Sequence, residues 1–142
     1  MFCFDALCGG SDEEVDLSRR ELVEVPADIG DPSILVVSFN HLSRFDAHAL
    51  GRSGTLRVLD LSGNDLTSLP DLSPLRGLRA LKLNENALAD LPPSIGALVD
   101  LGALWAIGND LRRLPESIGS LGRLSVLVLS FNAASTDGRA FF

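Results

Sequence analysis

Apolar positions along the chain recur in a fixed phase with asparagine. Asn40, Asn64, Asn86, Asn109 and Asn132 are separated by 24, 22, 23 and 23 residues. Before them stand Leu59-x-Leu61-x-x-Asn64, Leu81-x-Leu83-x-x-Asn86 and Leu127-x-Leu129-x-x-Asn132, with Leu35-x-Val37-x-x-Asn40 and Leu104-x-Ala106-x-x-Asn109 as close variants. Two residues after the asparagine comes Leu42, Leu66, Leu88 or Leu111, and Pro70, Pro92 and Pro115 recur six residues after it. An eroded first copy runs Val15-x-Leu17-x-x-Arg20-x-Leu22, with Pro26 beyond. A period of two puts both apolar side chains on one side of a short strand. Units repeating at this length predict parallel strands about 4.8 Å apart, stacked so that their leucines form one continuous core. Each asparagine stands where the strand turns away, with donors and acceptors to serve backbone groups that a buried turn orphans. Proline then suits the first position of a short outer helical turn, and glycine its exit.

The template resembles the leucine-rich repeat family, L-x-x-L-x-L-x-x-N-x-L in units of 20 to 29 residues. The Leu-Pro-x-x-Ile-Gly-x-Leu segments at 91–98 and 114–121 resemble an intracellular subclass found in Ras-type and polarity-signalling scaffolds and in related plant proteins. The unit from Asn64 to Asn86 is closer to that of phosphatase-regulatory repeat proteins. The resemblance implies an α/β fold, a right-handed solenoid with a parallel concave sheet and short helical or 3-10 convex segments. It also implies protein binding in the cell interior. The expected division is a tail or cap over residues 1–14, the repeat array over 15–134 and a short tail over 135–142.

Irregular units are expected at both ends. Only 20 residues separate Arg20 from Asn40, so the outer segment over residues 26–32 must be short. Phe45 replaces a core leucine in the next unit, followed by Asp46-Ala47-His48-Ala49-Leu50-Gly51, a helical turn closed by glycine. After Asn132, Ala134 and Asp137 fall in leucine slots, so the solenoid is expected to stop there, because a buried aspartate is costly. Phe2, Phe4 and Leu7 are available to cap one end, and Phe141 and Phe142 the other. The second cap is thin: the chain belongs to a longer product, or a partner or self-association covers that end.

Composition narrows the function. A net charge of −7 and a pI near 4.6 argue against nucleic acid and basic membrane-surface binding. No apolar run approaches a membrane span, and residues 1–10 lack a basic n-region and apolar h-region, so the expected location is cytoplasmic. Cys3 and Cys8 are the only cysteines, too few for a disulfide framework or a zinc site; they read as packed or tail thiols, with palmitoylation as the alternative. Ser11-Asp12-Glu13-Glu14 reads as a solvated acidic stretch, or a phosphate acceptor for an acid-directed kinase. Phosphate-loop, nucleophile-elbow, zincin and dinucleotide motifs are absent, and Gly51-Arg52-Ser53-Gly54 is a plain loop. No catalytic residue, cofactor or metal is expected. His41 and Asp65 occupy one slot in adjacent units and read as a polar pair on the rim.

Alternation sends the residues four and two before each asparagine to the concave face. These columns read Asp16, Val36, Asp60, Lys82, Trp105, Val128 and Ser18, Ser38, Ser62, Asn84, Ile107, Ser130. Most are small or polar, as on a solvated sheet face. Trp105, Ile107 and Val128 depart from that pattern in adjacent units, with Lys82, Asn84 and Asp60 beside them. They form the candidate binding patch for a protein partner, with Lys82 placed for a cation–π contact or as an anionic anchor. The function expected is a non-enzymatic adaptor in intracellular signalling or assembly. The alternative is a regulatory or sensing region of a larger kinase, phosphatase or ligase.

Overall fold

The computed structural model describes residues 13–133. The proposed caps at Phe2, Phe4, Leu7, Phe141 and Phe142, the cysteines, Ser11 and Asp137 all lie outside that range. Six three-residue strands form one parallel sheet in chain order: β1 Glu14–Asp16, β2 Ile34–Val36, β3 Val58–Asp60, β4 Ala80–Lys82, β5 Ala103–Trp105 and β6 Val126–Val128. The sheet lines the inside of a right-handed solenoid, and the outer side carries one short α-helix, α1 Ala47–Gly51, and 3-10 turns at Ser73–Leu75, Pro93–Ala97 and Glu116–Ser120.

Pairing extends beyond the strands proper. One carbonyl receives two successive N–H groups at each strand entrance, as Arg57 O does from Arg79 N and Ala80 N. Further along, Leu61 N donates to Lys82 O at 2.9 Å and Gly63 N to Asn84 O at 2.8 Å. Between the sheet and the outer turns, Leu35, Val37, Leu59, Leu61, Leu81, Leu83, Leu104 and Ala106 are buried, with Leu42, Leu66, Leu88 and Leu111 below them. Phe45 fills its leucine slot, 8% exposed.

The outer turns follow unit length. The longest spacing, Asn40 to Asn64, holds the α-helix; Asp46 caps it by accepting from His48 N and Ala49 N. Gly51 closes it because a Cβ there would collide with the carbonyl of Pro74 in the next unit. Just before the following 3-10 turn, whose N-cap position is Leu72, Asp71 accepts from Ser73 N and Ser73 Oγ. Those bonds hold its carboxyl below the ordinary carboxylate range. They are therefore present at neutral pH and are lost as pH falls through that lowered value. Residues 26–32 form no helix, as their short spacing requires.

Two placements differ from the sequence expectation. Pro92 and Pro115 stand before their 3-10 turns, at φ −68°, ψ 151° and φ −67°, ψ 147°, rather than at the first position. Proline's fixed φ suits extended backbone equally well, so it delivers the chain into the turn. Gly96 and Gly119 lie within the turns; Leu98 and Leu121 end them, donating to Ile95 O and Ile118 O.

A second backbone feature carries no sequence signature. The residue before each landmark is left-handed in all six units: Arg19, Phe39, Gly63, Glu85, Gly108 and Phe131, at φ from +54° to +67°. Only two are glycine, so the stacked turn imposes the conformation on the other four. At Gly63 a Cβ would also come within 2.5 Å of the Phe39 ring. Gly63→Ala is expected to lower stability by about 1–2 kcal/mol. A thermal melt checks this, and an unchanged midpoint would contradict the packing described.

Candidate functional site

The asparagines build the scaffold beneath the site. Asn64 Nδ2 donates to Leu61 O in its own unit and to Val37 O in the preceding one, both at 3.0 Å. Its Oδ1 accepts Leu42 N, also at 3.0 Å. Asn86 serves Leu83 O, Leu61 O and Leu66 N in the same way. Asn132 serves Leu129 O, Ala106 O and Leu111 N. Asn109 serves Leu83 O and Leu88 N, and Asn40 serves Leu17 O, Val37 O, Arg20 N and Leu22 N. A rigid turn is thereby fixed at the end of every strand, and the concave side chains inherit its order.

On that scaffold the register aligns Asp16, Val36, Asp60, Lys82, Trp105 and Val128 in one row across the sheet. Lys82 Nζ lies 3.8 Å from an Asp60 carboxylate oxygen and 5.6 Å from the centre of the Trp105 ring. Its charge is thus engaged inside the face, so the structure favours the cation–π contact over a spare anionic anchor. Asn84 and Ile107 flank this row, and Asn84 Oδ1 accepts the Ile107 N–H at 2.9 Å. Trp105, Ile107 and Val128 are half-buried. Nearer the first unit, Asp16 accepts the Ser18 N–H at 2.8 Å, and that bond holds its carboxyl below the usual range.

The row two before the asparagines is less solvated than its polarity implies. Ser38 and Ser62 are 7% and 8% exposed, because a side chain of two heavy atoms hardly clears strands packed this closely on either side. Ser62 Oγ is buried without a hydrogen bond. On the rim, His41 Nδ1 and Asp65 lie 3.6 Å apart, both well exposed. Among the described residues no three His, Cys, Asp or Glu side chains gather as a metal site, and no helix is long and apolar enough to cross a membrane.

Sequence reasoning missed two features. Phe39, 44% exposed, is held between Arg19, whose guanidinium sits 4.5 Å from the ring centre, and Gly63. On the outer side, a groove of about 690 Å³ opens beside α1, floored by Leu35, Phe45, Ala47 and Leu56. The short Arg20-to-Asn40 spacing was its one available signal: it leaves the outer wall of the first unit thin.

A family model described as a leucine-rich repeat region matches residues 35–138. The chain is a leucine-rich repeat protein. The fold of this family generally serves protein–protein interaction, and its members are typically non-catalytic interaction modules. It is similar to human podocan-like protein 1, 39% identical over 88 residues, covering 58% of this chain and 17% of that protein. A solved leucine-rich repeat protein of Leptospira interrogans superposes with a TM-score of 0.77 at 31% identity, covering 86% of this chain and 32% of that one. YopM from Yersinia enterocolitica superposes with a TM-score of 0.63 at 32% identity, covering 80% and 23%. The chain thus spans less than a third of the length of each of these relatives.

Proposed function

We propose that this repeat array is a protein-binding adaptor that holds its partner on the concave face, at the patch formed by Trp105, Ile107 and Val128 with Lys82, Asn84 and Asp60 beside them. The observation that carries this reading is the packing of Trp105. Its ring is half-buried on the concave face with the Lys82 ammonium 5.6 Å from its centre, and Lys82 is itself paired with Asp60. A tryptophan beside apolar neighbours has the composition of an interface hot spot. The role we assign is signalling or assembly in the cytoplasm, on the resemblance of residues 91–98 and 114–121 to the intracellular subclass; subcellular fractionation tests that placement.

Trp105→Ala tests the binding role. Partner affinity, measured by calorimetry on a partner captured with the wild-type chain, is expected to fall by about 2 kcal/mol or more. Stability is expected to change by less than about 1 kcal/mol, since the ring leaves the core. Unchanged binding with an intact fold would move the interface to the outer side or the rim. Loss of the fold would place Trp105 among the core residues.

A further inference from the structure

We infer that the segment seated on this patch is an extended stretch of the partner chain in which apolar side chains are flanked by arginine or lysine. The inference rests on the concave-face reading above and adds the partner's chemistry to it.

Charge stands beside apolar surface on this face. From β3 to β6, the rows from four before to one after the asparagines carry Asp60, Asp65, Lys82, Glu85 and Asp110 as their charged side chains. Lys82 is the single cation in this set, and it is already paired with Asp60. Asp65, beside His41 on the rim, Glu85 and Asp110 are exposed along the ends of the strands. Glu85 lies against the apolar patch. Glu85 N donates to Ile107 O at 2.7 Å, and Asp110 follows Ile107 by three residues. Beside Glu85, Gly108 carries no side chain, and even an added Cβ there would stand 3.8 Å from Glu85 Cγ.

A partner crossing from Trp105 and Ile107 toward this rim therefore meets apolar surface first and carboxylates next. An acidic segment would be repelled there, and a basic one drawn in. Crossing four strands takes about 15 Å, or about five extended residues, so one short segment reaches both features.

The test uses the full chain and two short synthetic peptides that share a Leu-Phe-Leu core, one flanked by arginines and the other by glutamates. Affinity is read from the anisotropy of labelled peptide. Contact with the patch is read from the emission of Trp105, the chain's single tryptophan. The arginine-flanked peptide is expected to bind at least about tenfold more tightly and to shift Trp105 emission. The advantage should fall to about threefold or less in Glu85→Gln/Asp110→Asn, and should persist in Asp28→Asn/Asp31→Asn, which removes equal charge from the outer side. Circular dichroism establishes that both variants are folded.

Equal affinity for the two peptides, with Trp105 emission shifted by both, would overturn the basic partner and leave the concave site standing. Equal loss in the two double variants would reduce the preference to the attraction of an acidic chain as a whole, and overturn it. Binding that leaves Trp105 emission unchanged, with wild-type affinity in Trp105→Ala, would overturn both readings. Absence of binding by either peptide would overturn the partner chemistry inferred here.

Discussion

Replacing Leu83 by aspartate is expected to unfold the chain. Leu83 is fully buried, the middle member of a column that runs Leu61, Leu83, Ala106 through three adjacent units. A carboxylate there loses its water and meets hydrocarbon from both sides, with no cation in reach. Uncompensated burial of charge, added to the lost packing of leucine, costs about 5 kcal/mol or more. Total stability for a domain is only about 5–15 kcal/mol. Units in a solenoid are held by their neighbours, so damage at one interface spreads to the next. Far-UV circular dichroism should show the strand signal lost at room temperature, while Leu83→Met, which keeps volume and polarity, should lower stability by less than about 1.5 kcal/mol. A folded Leu83→Asp chain would mean that the strand phase is wrong.

The second large effect is expected at Asn64. Alanine there removes the partner of Leu42 N and one bond each from Val37 O and Leu61 O. Those carbonyls keep their bonds from Asn40 and Asn86, but the buried Leu42 N–H is left with nothing. One orphaned donor and two lost bonds together amount to about 2–4 kcal/mol. Asn64→Asp should be worse than alanine at neutral pH, because it sets a carboxylate against two carbonyl oxygens where an amide donated. Chemical denaturation midpoints would show the order wild type, alanine, aspartate. An aspartate variant as stable as wild type would contradict the assigned amide orientation.

Much of this was legible because the repeat constrains it. Period-two leucines set the strand phase, and the phase fixed which residues share a row, so Asp60, Lys82, Trp105 and Val128 come out adjacent from spacing alone. The asparagines announced themselves as turn residues, though not that each would bridge two units, since that follows from stacking. What stayed hidden has physical causes. Phe39, Glu85 and Phe131 adopt a left-handed backbone with side chains that do not favour it, because the asparagine network outweighs the local preference. Ser38 and Ser62 read as solvated, yet small side chains between close strands are covered by their neighbours. Lys82 read equally well as a spare charge; only the geometry shows it held between a carboxylate and an indole. The outer groove follows from a missing wall, which no residue type marks.

Hydroxyl-radical footprinting of the complex shows directly which face the partner covers. Trp105, Ile107 and Val128 on the concave face compare with Val23 and Val99, which are 69% and 56% exposed and lie away from it. Trp105 and Ile107 are expected to lose reactivity when the partner is bound while Val23 and Val99 keep theirs. Protection of Val23 or Val99 with Trp105 still reactive would contradict binding on the concave face.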